Sequence, residues 1–133
     1  MHLFLVWQNS GEPIDVKMPR KIVAVLADLM FQVKISDAAK RAGVVVEFVK
    51  TPDSAIQQAP GAAAVILDLN FAPPELIARM KTGDDTRSIP LVGYVSHVET
   101  ERIRQARESG CDTVMARSAF VQKLNEMMQS FAG

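Results

Sequence analysis

The chain has 133 residues, of which 48% are hydrophobic and 23% charged, proportions that fit one globular domain and exclude a disordered chain. Fifteen basic side chains balance fifteen acidic ones. That balance argues against the cationic surface that a phosphate-backbone binder needs, short of a small local patch, and nucleic acid is not an expected partner. One cysteine, Cys111, excludes an intrachain disulfide and any multi-cysteine zinc site.

The opening Met1 to Trp7 is apolar but has no basic lead and no small-residue cleavage site, so it reads poorly as a signal peptide. Apolar runs reach only about six residues (Ala62 to Leu67) where a membrane span needs roughly 20. A cytoplasmic protein with no membrane partner is the expectation. Residues 1–20 form an N-terminal appendage and residues 21–133 a domain. Two readings of the first 17 residues stand open. Leu3 to Trp7 is an extra strand that pairs with a sheet edge or a partner chain, or translation starts upstream of a natural start at Met18.

From Lys21 onward, apolar runs alternate with amphipathic stretches. Ile22 to Leu26 is apolar on consecutive positions, the mark of a strand covered on both faces. Phe31, Ile35, Ala38 and Ala42 then fall at helical spacing, with Lys40 and Arg41 in the last turn and Gly43 at the C-cap position. Val44 to Val49 is a second strand, followed by a short helix from about Asp53 to Ala59. The third strand is Ala63 to Leu67, ending at Asp68, and a helix around Pro74 to Lys81 follows it. Leu91 to Val95 is the fourth strand, Glu99 to Ser109 a highly charged helix, and Thr113 to Ala116 the fifth strand. A last helix carries Phe120, Leu124, Met127 and Phe131 as one apolar stripe. Five buried strands separated by helices predict right-handed crossovers and a parallel sheet with helices on both faces.

In such a sheet, ligands and reactive groups gather at the carboxyl ends of the strands. The residues there are Asp28, Asp68 with Asn70, Ser96 with His97, and Arg117 with Ser118. Acids, an amide, a hydroxyl and a cation would thus converge on one crevice able to bind a phosphoryl group or another anion. No glycine-rich dinucleotide loop, phosphate loop, nucleophile elbow or histidine-based triad is present. A protein that is not an enzyme is expected.

Residues 21 to 132 resemble the receiver domain of bacterial two-component response regulators, the CheY-like family. The resemblance rests on Val65-Ile66-Leu67-Asp68-Leu69-Asn70, on Ile89-Pro90-Leu91-Val92, and on Ala106 through Gly110-Cys111-Asp112 leading to Arg117. It implies a three-layer, doubly wound five-stranded sheet of flavodoxin-like order 2-1-3-4-5. It also implies Asp68 as phosphoacceptor, Asn70 as the position whose carbonyl helps hold magnesium, and Arg117 in the place of the lysine that pairs with the phosphoryl group. A partner or a second copy would dock over residues 98–132.

The chain departs from the family at the metal. Where receivers end the first strand with two adjacent acids, Leu26 and Ala27 stand, and Asp28 comes one place late. Magnesium demands oxygen ligands in near-octahedral geometry. Only Asp28 and Asp68 remain to hold it, a weakened site that needs Asp28 to swing inward. Val95 occupies the position of the switch hydroxyl, with Ser96 one residue later, and Val114 replaces the switch aromatic.

Each site residue also has a plainer reading. Arg117 forms a permanent salt bridge to Asp68 or Asp28. Ser96 opens a capping box with Glu99, and Ser118 caps the last helix. His97 is solvated, and Cys111 packs as a small apolar group.

The expectation is a stand-alone receiver-like signalling domain acting by protein–protein interaction, with an impaired magnesium-dependent phosphorylation site. Its partner would be a histidine kinase or an output protein. One rival is a phosphorylatable single-domain response regulator with Asp68 as acceptor. The other is a flavodoxin-like protein that binds a small ligand such as a nucleotide, flavin or cobalamin.

Overall fold

The β-branched runs become strands and the amphipathic stretches become helices. A computed structural model describes residues 3–7, 13–17, 19–96 and 99–133. Two strands, β1 (Leu3–Trp7) and β2 (Pro13–Lys17), form an antiparallel two-stranded sheet. The remaining elements are β3 (Lys21–Val25), α1 (Leu29–Ala42), β4 (Val45–Val49), α2 (Pro52–Gln58), β5 (Ala64–Asp68), α3 (Pro74–Thr82), β6 (Leu91–Val95), α4 (Thr100–Glu108), β7 (Thr113–Ala116) and α5 (Arg117–Ala132). The five strands from β3 onward are parallel, in spatial order β4-β3-β5-β6-β7. Counted from β3, that is the expected 2-1-3-4-5.

Successive side chains of a strand point to opposite faces, so each central strand feeds two cores. Val23, Val25 and Leu67 pack with Ala55 of α2, Leu76, Ile77 and Met80 of α3, and Ala106 of α4. Ile22, Ala24, Ile66 and Tyr94 pack on the other face with Phe31, Ile35 and Ala38 of α1 and Phe120, Leu124 and Met128 of α5. The stripe expected on α5 is rotated slightly: Met128 is fully buried, whereas Met127 and Phe131 are only half-buried. Edge position explains why β4, read as buried, leaves Val45 half exposed.

Two glycines are dictated by geometry. Gly43 ends α1 in the left-handed region (φ 75°), which a Cβ makes costly. Gly93 lies in β6 under Leu69, whose Cδ1 would stand 2.6 Å from a Cβ there.

Two expectations are corrected. Leu3–Trp7 is a strand, as expected, but among the described residues it pairs with Pro13–Lys17 and neither strand joins an edge of the five-stranded sheet. Ser96 and Ser118 do not cap helices. The chain enters α4 through Glu99, with no side-chain cap, because the helix starts at Thr100, too far along for Ser96 to reach its first amides. α5 begins two residues earlier than Ser118 requires, with Ala116 at the cap position.

At the opposite end of the sheet from the predicted crevice, Asp112 Oδ2 accepts hydrogen bonds from Lys81 Nζ (2.7 Å) and from the Leu91 amide (2.7 Å). It thereby joins the end of α3, the start of β6 and the loop into β7. Partial burial opposes ionisation, but the Lys81 ammonium and the Leu91 amide hold Asp112 below its usual pKa. Its stabilising effect is present above the unfolded carboxylate pKa and is lost as pH falls through the folded one. In urea denaturation at neutral pH, Asp112→Ala is expected to lose about 1 kcal/mol, the figure for a partly solvated hydrogen-bonded charge. Asp112→Asn, which keeps an acceptor, should lose less, and acid should narrow both gaps.

Candidate functional site

Asp28, Asp68, Asn70, Ser96 and Arg117 lie at the carboxyl ends of the strands, where Asp28 pairs with Arg117, and Asp68 and Asn70 bond the chain to either side. Asp28 is the N-cap of α1. Its Oδ1 accepts from the Phe31 amide (3.1 Å), which suits a carboxylate at the positive end of a helix. Its Oδ2 accepts from the Arg117 guanidinium at 3.2 Å. Both oxygens are thus engaged and turned toward α1 and α5. The Phe31 amide, with the Arg117 charge, holds the Asp28 carboxyl below its ordinary pKa, against partial desolvation.

Arg117 is the first residue of α5, a helix end that repels a cation. Two contacts compensate. One is Asp28. The other is the ring of Phe31, whose centroid lies 4.3 Å from the guanidinium carbon, within cation–π range. Of the two acids considered for Arg117, the ion pair forms with Asp28; none to Asp68 is found among the described residues. Phe31 in turn packs on Tyr94 and Phe120, with ring centroids 4.8 and 5.7 Å away. The Tyr94 hydroxyl is buried with no hydrogen-bond partner among the described residues. Burial, with the nearby Asp68 charge, pushes the Tyr94 phenol well above its usual pKa.

Asp68 ends β5, half-buried. Its Oδ1 accepts from the Asn70 amide (3.0 Å), and its carbonyl accepts from the amides of Phe71 and Ala72 in the following turn. Burial raises its pKa, the Asn70 amide and Arg117 oppose the rise, and the Asp28 charge adds to it. Asn70 continues the chain of contacts: its Oδ1 accepts from the Ser96 amide at 2.7 Å. Ser96 is therefore tied by its backbone, and its place in the strand-end crevice owes nothing to capping. Val95, standing where a receiver has its hydroxyl, is buried in the α2–α3–α4 core. His97 lies outside the described residues.

Sequence reasoning missed two contributors. Arg102 on α4 donates to the Leu69 carbonyl (3.1 Å), tying α4 to the turn after β5. Phe31 was legible as a core residue, but not as the platform for Arg117. A cation at the first position of a helix, without an acid in that turn, was the signal that it needed outside partners.

No family model and no curated protein matches this sequence. Solved structures do. A response regulator from Hahella chejuensis superposes with a TM-score of 0.73 at 18% identity, over 84% of this chain and 94% of that one. The fold is that of response regulator receivers. A chemotaxis response regulator of Vibrio cholerae matches with a TM-score of 0.70 at 16% identity, covering 86% of this chain and 99% of its own. The phosphorylated cyanobacterial phytochrome response regulator RcpA matches with a TM-score of 0.70 at 18% identity, covering 85% and 91%. The receiver fold thus accounts for most of the chain. Among the described residues, no helix is long and apolar enough to cross a membrane.

The two acids of this receiver-fold pocket respond to pH with opposite signs. The raised pKa of Asp68 means that its contribution to stability is complete below the unfolded value and is lost as pH rises through the folded one. The lowered pKa of Asp28 means that its contribution is present above the unfolded value and is lost as pH falls. In chemical denaturation, Asp68→Asn is therefore expected to be more stable than the wild type at neutral pH, with the gap closing in acid. Asp28→Asn should be less stable at neutral pH, and its gap should also close in acid.

Proposed function

We propose that this chain is a receiver-like signalling domain that works through protein–protein contacts, with magnesium-dependent phosphorylation at Asp68 impaired. The observation that carries the proposal is the engagement of Asp28 by the Phe31 amide and the Arg117 guanidinium. A receiver pocket needs a divalent cation to neutralise phosphoryl oxygens during transfer to the aspartate. Here a permanent protein cation neutralises Asp28 instead.

The donor set supports the same reading. Leu26 is fully buried and apolar, and Ala27 has no oxygen in its side chain. Among the described residues, no three His, Cys, Asp or Glu side chains are grouped closely enough to hold a metal. Two carboxylates, one of them paired with arginine, do not fit a cation that demands near-octahedral oxygen coordination. The missing hydroxyl points the same way, because buried Val95 has nothing with which to follow a phosphate.

Partners in this reading are signalling proteins that recognise the strand-end crevice or the helical faces, including a kinase or an output protein. The surface over residues 98–132 is less suited to intersubunit ion pairs than its composition suggests. Arg104 already pairs with Glu101 and Glu108, and Arg102 with Glu99, all along α4. The rival reading, a phosphorylatable response regulator, has Asp68 itself in its favour: one carboxylate oxygen has no hydrogen-bond partner among the described residues.

Incubation with acetyl phosphate, with and without magnesium, followed by intact-mass measurement, separates the two. The proposal expects no stoichiometric phosphorylated species in either condition. A magnesium-dependent adduct that disappears in Asp68→Asn would overturn it. Arg117→Ala, which releases Asp28, is expected to show a larger magnesium-induced rise in melting temperature than the wild type, since only a cation bound to the native state stabilises it.

A further inference from the structure

We propose that the strand-end crevice docks a segment of a partner protein that sets a basic side chain on Asp68 and covers Leu29, Met30 and Phe71 with apolar ones. This rests on the reading of the chain as a domain that works through protein contacts, and adds what the partner must carry.

Topology sets the crevice. β3 and β5 lie side by side in the sheet, but their connections leave in opposite directions, through α1 to β4 and through α3 to β6. α1 packs on the face of Ile22 and Tyr94, whereas α3 packs on the face of Val23 and Leu67. Adjacent strands whose helices part in this way leave a gap at their carboxyl ends, the place where open parallel sheets take their ligands. Asp68 ends β5 at that gap.

The charge there is uncompensated. The charges that act on Asp68 are those of Arg117 and Asp28, and these two are paired with each other at 3.2 Å. Arg102, which reaches the turn after β5, is paired along α4 with Glu99. Asp68 has no ion pair among the described residues, and one of its carboxylate oxygens accepts no hydrogen bond there. A half-buried carboxylate without a counterion is costly, and a basic group delivered from outside offsets that cost.

Large apolar side chains are exposed at the same end. Leu29 (70%) and Met30 (75%) open α1 directly after Asp28, and Phe71 (41%) stands in the turn that follows Asp68. Their backbones are fixed. Asp28 caps the turn that carries Leu29 and Met30, and the Asp68 carbonyl accepts from the Phe71 amide at 3.0 Å. An acid bordered by apolar side chains on fixed backbone is a preorganised surface, and methionine and aromatic residues are enriched where proteins meet. Charge selects the occupant. Asp68 would repel an acidic segment, and a wholly apolar one would bury the carboxylate unpaired.

Selection of short random peptides displayed on phage against the full chain tests this, with the affinities of the enriched peptides then measured by fluorescence anisotropy. The expected peptides carry a lysine or arginine flanked by apolar residues. They should bind Asp68→Asn about tenfold more weakly than the wild type, the loss of one charge-assisted contact. Met30→Ser should also weaken them. Val45→Ser, which alters an exposed apolar residue at the other end of the sheet, should bind as the wild type does. Added salt should weaken binding to the wild type more than to Asp68→Asn, because only the charged site is screened. Cooperative thermal unfolding establishes that each variant is folded.

Enriched peptides that are acidic, or apolar throughout, overturn the proposal. So do peptides that bind Asp68→Asn as tightly as the wild type, and a selection that enriches nothing over Asp68→Asn. A dimer of the full chain that Met30→Ser dissolves would give the surface to a second copy and overturn it as well. Impaired phosphorylation fails on a different result, a magnesium-dependent adduct at Asp68, so either can fail while the other stands.

Discussion

The ion pair between Asp28 and Arg117 joins the start of α1 to the start of α5 at the carboxyl end of the sheet. Taken alone, an ion pair with both side chains more than a third exposed is worth little. Its importance comes from where its members stand. Asp28 closes the first turn of α1, and Arg117 opens α5. The guanidinium rests on Phe31, and Phe31, Tyr94 and Phe120 pack ring to ring beneath it. One cation therefore docks two helices on the same aromatic core. Without it, the N-terminus of α5 would carry an uncompensated positive charge.

That docking has a consequence for switching. A receiver acts when a change at the strand ends moves an element that has two stable arrangements. In this chain the strand ends are tied in one arrangement: Asp68 to the Asn70 amide, Asn70 to the Ser96 amide, and Arg102 to the Leu69 carbonyl. The turn after β5 is thus joined to the end of β6 and to α4 by side-chain hydrogen bonds. Leu69 lies over the bare backbone of Gly93, where any side chain would meet it.

The strands were legible because β-branched runs bounded by glycine and proline have few alternatives, and Gly43 marked the end of α1 by the only residue type that its φ favours. The appendage was half legible. Leu3 to Trp7 declared itself by its apolar run, whereas Pro13-Ile14-Asp15-Val16-Lys17 alternates polar with apolar over a stretch too short to stand out from a loop. The site residues were legible as a set, because strand ends in a parallel sheet converge. Their pairing was not. Asp28 and Asp68 are equivalent acids in a sequence, and only the position of Asp28 at the mouth of α1, beside the start of α5, decides which of them takes Arg117. Ser96 was misread for a related reason. Its spacing to Glu99 fits a capping box, but a box works only if the helix begins at once, and α4 starts at Thr100.

Two features of the pocket are hard to account for as packing. Asp68 is a half-buried carboxylate whose environment favours the neutral form, and Tyr94 carries a buried hydroxyl without a partner among the described residues. Asparagine and phenylalanine would fit the same spaces at lower cost, since an unsatisfied buried polar group is destabilising and a desolvated charge more so. Groups held in unfavourable environments cluster where a protein does its work. At the strand ends, Asp68 is thus an acid without neighbouring oxygen ligands at Leu26 and Ala27. A negative charge in a crevice needs no metal in order to be read by a docking protein, whereas phosphoryl transfer does. This asymmetry is what the proposed reading, recognition without phosphoryl transfer, rests on.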